Sequence, residues 1–282
     1  MKKQIIIDTD FGGDPDDILA LLYAVRSSEI SIEAIISSDE YKNDYRAKSI
    51  QRWLKTLRKR IPIFAGKDLG NRNLFFLERY AAGETTPAYF LTSRKFLDIV
   101  RRVNADKGYY VAIGGLTNLS ILLSKYPSYM SSLTCHIMGG TVFAFAQRGE
   151  HNARLNPTAT RAVMASSLKT KWILADHTSV PAVKISPTHE LYRRITAKRS
   201  LAYTMIRDNM DKFYATKYPE SYVHDPIALS TLLLPVARFV KRHVWCTDIG
   251  VFKKNNSQPA IQMTSHINYK LFWKDFFDKL TI

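Results

Sequence analysis

Residues 5–21, IIIDTDFGGDPDDILAL, constrain the fold more than any other segment. Three β-branched residues, Ile5 to Ile7, form a continuous apolar run of the kind a strand buried on both faces requires. Five aspartates follow within ten residues: Asp8, Asp10, Asp14, Asp16 and Asp17. Behind them, over 16–25, apolar residues recur at helical spacing, and acids in a first turn suit the positive end of a helix dipole. Gly12 and Gly13 let the backbone turn tightly between the two elements. A buried strand that runs through carboxylates into a helix is the opening of an α/β sheet. In such sheets ligands bind beyond the carboxyl ends of the strands.

The same rhythm continues along the chain. Strand patterns fall at 30–36, 61–64, 109–113, 133–138 and 171–175, and helical ones at 45–57, 116–126 and 156–167, the last with Pro157 in its first turn. Between Gly66 and Tyr109 no element is assigned. From Pro187 to about Thr216 the pattern is mostly helical; strands are expected at 240–251 and 260–263 and a closing helix at 269–280. This βαβ alternation predicts a mostly parallel β-sheet flanked by helices, an open Rossmann-like core. No repeat, low-complexity tract or linker interrupts the sequence, so one continuous domain over residues 1–282 is expected.

Composition excludes several classes. With 46% hydrophobic and 23% charged residues the chain is neither disordered nor collagen-like. Its two cysteines, Cys135 and Cys246, have no CxxC spacing, which argues for reduced thiols rather than a disulfide scaffold. The apolar run before the first acid is only three residues long, too short for a signal-peptide core, and no run approaches the length of a membrane span. A soluble cytoplasmic protein with no membrane partner is the expectation. The formal charge of +16 could attract nucleic acid. The basic residues come in short clusters, such as Arg58-Lys59-Arg60, Arg101-Arg102 and Lys253-Lys254, without an Arg/Gly-rich arm or zinc-finger spacing. A basic solvated surface is therefore expected, not a nucleic-acid partner.

Crowded carboxylates repel one another unless a cation or a shared proton offsets the charge. Hard divalent cations take several oxygen ligands, so Ca²⁺ or Mg²⁺ suits this cluster, and the lack of nearby His or Cys argues against zinc. An N-cap with a solvated turn would account for one or two of these aspartates but not five. Phosphate binding lacks support, since neither GxGxxG nor GxxxxGK[ST] occurs. Asp8-Thr9-Asp10 alone would also permit a phosphatase-like aspartate nucleophile.

Further motifs narrow the choice. Asp8-Thr9-Asp10-Phe11-Gly12 and Asp16-Asp17 resemble the DxDxGxDD signature of the inosine-uridine preferring nucleoside hydrolases, with two extra residues around Gly13-Asp14-Pro15. Gly114-Gly115-Leu116-Thr117-Asn118, Met138-Gly139-Gly140, Glu150-His151-Asn152, His224-Asp225-Pro226 and Phe272-Trp273 are similar to the family's later landmarks, in the same order. The ordered set covers nearly the whole chain and displaces the phosphatase reading.

The resemblance implies calcium-dependent hydrolysis of the N-glycosidic bond of a ribonucleoside to nucleobase and ribose. It implies that Asp10, Asp17, Asp225 and the carbonyl of Ile113 ligate Ca²⁺, with Asp10 also the general base toward the attacking water. Asp16 and Asn152, with Glu150 beside them, would bind ribose hydroxyls, and His224 would help the base leave. A place in nucleoside salvage and a homo-oligomer, dimer or tetramer, are implied too. The chemistry is consistent: the reaction passes through a ribosyl cation that nearby carboxylates stabilise, and a leaving base needs a proton or hydrogen bond.

Three departures from the family pattern stand out. Asp14 adds a carboxylate that either replaces a ligand or points to solvent. After the second strand, IISSDEYKND replaces an asparagine-bearing segment, leaving Asp39 or Glu40 as substitutes. The loop after Gly140, TVFAFAQRG, lacks the family's ribose-binding asparagine. The region 68–89 has no histidine, though Phe75, Phe76 and Tyr80 could stack on a base. The metal and water machinery thus looks kept and the substrate-reading loops altered. The alternative is a protein of the same fold that binds metal or ligand but has lost or changed turnover.

Overall fold

Alternation within the first strand sets the layers. The computed structural model describes residues 2–38, 42–70, 74–216 and 218–280. In β1 (Lys3–Thr9) Ile5 and Ile7 join one hydrophobic core and Ile6 the other, because successive side chains leave a strand on opposite faces. Strands β2 (Ile30–Ser37), β3 (Ile63–Phe64), β4 (Tyr109–Ala112), β5 (Thr134–Met138) and β6 (Lys169–Ile173) pair in parallel around it. A short ribbon, β7 (Lys184–Ile185) with β8 (Ser221–Tyr222), stands apart. Strands β9 (Ala237–Cys246), β10 (Phe252–Lys254) and β11 (Ala260–Ile267) complete a nine-stranded sheet of order β10-β9-β11-β6-β5-β4-β1-β2-β3. Strand β11 is parallel to β6, and β9 runs antiparallel to both of its neighbours. The expected mostly parallel sheet is present.

Helices cover both faces: α1 (Asp16–Arg26), α2 (Tyr45–Thr56), α3 (Arg94–Ala105), α4 (Thr117–Lys125), α5 (Pro127–Met130), α6 (His151–Leu155), α7 (Pro157–Ala165), α8 (Ala175–Thr178), α9 (Glu190–Thr196), α10 (Leu201–Tyr214), α11 (His224–Leu233) and α12 (Tyr269–Leu280). One core gathers α1, α2, α10, α11 and α12 against Ile7, Ile35 and Val111; the other gathers α3, α4 and α7 against Ile6, Tyr110 and Trp172. Helix α3 falls where the sequence reading assigned no element. Its Phe96, Ile99, Val100 and Val103 are buried at i, i+3, i+4 and i+7, and the Ser93 hydroxyl accepts from the Phe96 N–H as its N-cap. The strand expected at 240–251 instead starts at Ala237 and ends at Cys246, before Gly250 turns at φ +80°.

Strand order decides where the site lies. The chain moves from β1 outward through β2 to β3, then returns to place β4 on the other side of β1. The connections after β1 and β4 therefore diverge, and a crevice opens at their carboxyl ends. Asp10 follows β1 there, and Ile113-Gly114 follows β4. No helix among the described residues is long and apolar enough to cross a membrane. Cys135 and Cys246 are free and buried.

Candidate active site

The crevice collects carboxylates from the two ends of the sequence. Asp16 and Asp17 open α1, and Asp225 stands in the first turn of α11; each is 3% exposed. A carboxylate oxygen of each lies within 4.8 Å of one on both others. Helices α1 and α11 pack against each other, which holds the trio together. The Asp225 backbone N–H points at Asp16 Oδ2, 3.4 Å away, and the Thr9 hydroxyl bonds Asp17 Oδ1. Burial first, then mutual repulsion including that of Asp10, pushes all three well above the ordinary carboxylate range. Three buried, mutually repelling oxygen donors fit a hard divalent cation, which would let all three ionise.

Asp10 borders this trio, and each of the three feels its charge. Its backbone is gripped from α2: the buried Arg46 guanidinium donates to the carbonyls of Asp10 and, at 2.9 Å, Phe11. Gly114 comes so close that a Cβ there would sit 3.0 Å from Asp10 Oδ1 and 2.8 Å from Ser38 Cβ. On the open side, His151 Nε2 lies 3.8 Å from Asp10 Oδ2.

Asp8 lies beneath the site, fully buried, accepting from Tyr110 Oη at 2.7 Å and Asn118 Nδ2 at 3.0 Å. Burial pushes it up to about 7. Asn118 also bonds the Ser37 carbonyl and the Lys67 N–H, so it ties three strand ends together. Asp14, in the two-residue insert, does not point to solvent. Its carboxyl accepts from the Ser221 hydroxyl beside α11, and burial pushes it up to about 7. Asn209 of α10 donates to the Gly13 carbonyl at 2.8 Å and anchors the same loop.

The Glu150-His151-Asn152 turn forms the next wall. Both Glu150 oxygens are engaged by backbone: Oε2 accepts from Gly140 and Ala153, Oε1 from Asn152, all within 3.0 Å. Glu150 is the N-cap of α6. Asn152 Nδ2 donates to the carbonyls of Ile113 at 3.1 Å and Met138 at 3.2 Å, clamping the ends of β4 and β5. Its Oδ1 makes no hydrogen bond among the described residues. The Ile113 carbonyl keeps a second lone pair.

His224 begins α11 with Nδ1 2.7 Å from the Thr178 hydroxyl, and burial pushes it down to about 4, so it is a neutral imidazole. Asp176 accepts from the amides of Val142, Phe143 and Ala144 and shapes the loop after Gly140. Of the aromatics proposed to stack on a base, Phe76 packs edge-on against Phe213 and the Tyr80 hydroxyl bonds Asp208. Phe75 lies closest to the acidic turn, under Arg46 and against Gly12. Asp39 and Glu40 lie outside the described residues.

Arg46 and His151 were missed in the sequence reading. Arg46 had a signal: with Ile50 and Trp53 it keeps the i, i+4, i+7 spacing of the buried face of α2. His151 had none, because its nearness to Asp10 spans 141 positions.

A doubly wound sheet with buried carboxylates at its topological switch point defines a class: α/β enzymes that work in a pocket at the carboxyl edge. Within that class the chain belongs to the inosine-uridine preferring nucleoside hydrolase family, whose model matches residues 5–274. Among relatives, the pyrimidine-specific ribonucleoside hydrolase RihA of Escherichia coli is 25% identical over 257 residues, covering 83% of this chain and 81% of that protein. The purine-preferring ribonucleoside hydrolase from Gardnerella vaginalis superposes with a TM-score of 0.79 at 18% identity, over 99% of this chain and 98% of that one. The inosine-uridine preferring nucleoside hydrolase from Bacillus anthracis gives 0.75 at 15% identity, over 99% of each. These two likenesses establish the shared fold.

Proposed function

We propose that this chain hydrolyses the N-glycosidic bond of a ribonucleoside to nucleobase and ribose in a calcium-dependent reaction. The observation that carries the proposal is the convergence of Asp16, Asp17 and Asp225 within 4.8 Å beside Asp10 at the switch point. Asp17 and Asp225, with Asp10 and the free lone pair of the Ile113 carbonyl, would hold Ca²⁺. When bound, the ion lowers the pKa of a coordinated water and fixes its position.

Asp10 takes the proton of the attacking water. Its backbone is held by Arg46 and its side chain is backed by Gly114, so the base is fixed before substrate arrives. Asp16 presents Oδ1 to the ribose hydroxyls, its Oδ2 facing the Asp225 N–H; the open Asn152 Oδ1 serves as a second acceptor. These negative groups face the ribosyl cation as it develops. Glu150 acts on the sugar through Asn152, since backbone amides already engage both its oxygens. His224, neutral and oriented by Thr178, offers Nε2 to the leaving base as a hydrogen-bond partner rather than as an imidazolium. Asp14 braces the metal turn against Ser221.

A protein that binds without turnover is the competing reading, favoured by the engagement of Glu150 and of the Asn152 amide nitrogen. One assay separates the two: ribose release across purine, pyrimidine and nicotinamide ribosides, with Ca²⁺ and with chelator. Calcium-dependent release from any member supports hydrolysis, whereas a calcium-loaded chain that releases ribose from none supports the binder. Both base classes belong in the panel because the relatives' names span both.

A further inference from the structure

On the far side of the loop that follows Gly140 lies a cavity of about 850 Å³, separate from the aspartate crevice. Its floor is one face of the sheet's antiparallel edge. Val240, Arg242 and Val244 alternate along β9 and so share a face. Register places Met263 opposite Val240 and Lys254 opposite Val244, and directly paired residues project to the same side. Leu174, at the end of β6, closes the floor. Toward the Cys246 end this face is packed under α7; toward Val240 it is open. Phe143, 81% exposed, lines the opening.

The charge around this floor is predominantly positive. The side chains of Arg242 and Lys254 have no ion pair or hydrogen bond with any described residue. The one acid lining the cavity, Asp176, already accepts three backbone amides. An apolar pit beside two unanswered cations, with an exposed ring at its mouth, calls for a ligand with an aromatic body and an anionic group. A second copy of this chain would bring another +16 to the same cations. A nucleic acid would track a surface rather than fill a pit.

We propose that this cavity is a binding site for a small aromatic monoanion, distinct from the nucleoside site. The probe is 8-anilinonaphthalene-1-sulfonate, titrated by fluorescence against the full chain. N-phenyl-1-naphthylamine, the same body without the sulfonate, serves as its uncharged counterpart. One sulfonate probe should bind per chain, and Arg242→Glu with Lys254→Glu should loosen it about tenfold or more. The uncharged probe should be unaffected by that pair. Val240→Trp, which fills a half-buried floor position, should displace both probes. Arg60→Glu with Lys95→Glu, in a basic hollow beside β2 and β3, is the control and should change neither. Equal loosening by the two charge-reversed pairs would reduce the effect to diffuse surface charge. Absence of saturable binding, or binding indifferent to both Arg242/Lys254 and Val240, would overturn the proposal.

Discussion

Asp10 and His136 show how one side chain's surroundings determine what it contributes. Asp10 is held by its backbone and by the close approach of Gly114, so replacing its carboxylate removes the proposed base without removing a structural bond. Asp10→Ala should lower ribose release about 10²–10⁴-fold while leaving the melting temperature measured in chelator nearly unchanged; near-wild-type turnover would remove Asp10 from the mechanism. Gly114→Ala should also slow turnover, because its new methyl must displace Asp10 or Ser38, and a kcat equal to wild type would contradict that packing. His136 is buried in β5, bonded at Nδ1 to the Thr231 hydroxyl at 2.7 Å and packed edge-on against Tyr109. Burial pushes it down from its ordinary 6.5 to about 3. Its neutral form is the folded form, so its contribution to stability is complete above pH 6.5 and is lost as pH falls toward 3. Between pH 7 and 5 this amounts to about 2 kcal/mol. His136→Gln should flatten urea-unfolding stability over that interval by the same amount, and an unchanged slope would place the acid sensitivity elsewhere.

At the scale of elements, the short helix α6 ties the ends of two strands to the wall of the crevice. Glu150 binds three backbone amides, and Asn152 bridges the ends of β4 and β5. Glu150→Ala should cost about 1–2 kcal/mol, as loss of an N-cap does, and should raise KM because Asn152 loses its fixed position. Were Glu150 instead a direct ribose ligand, KM would rise with no change in the urea midpoint. Helix α2 works in the same way from the other side, delivering Arg46 beneath the acidic turn.

For the whole molecule, the cation and the fold are coupled. The carboxylates proposed to hold calcium, Asp10, Asp17 and Asp225, would join the acidic turn before α1 to α11, some 210 positions later in the chain. A ligand that binds only the folded state stabilises it by about 2.7 kcal/mol at 100 times its dissociation constant. Chelation should therefore lower the melting temperature, and added Ca²⁺ should restore it. A melting curve indifferent to both would argue that the aspartates are held by shared protons instead.

Much of this was legible in the chain itself. The Ile5–Ile7 run, the aspartates behind it and the alternation of strand and helix periods already required a parallel α/β sheet with a charged turn at its carboxyl edge, because burial periodicity and turn chemistry are local. The motif order pointed to the family for the same reason. Other features depended on which elements meet. Sequence could not say that Asp14 turns in toward Ser221, that Glu150 spends its oxygens on backbone amides, or that His151 reaches Asp10. Those facts follow from strand order, which brings distant turns to one crevice. There, each buried polar atom takes the partner that packing leaves within reach.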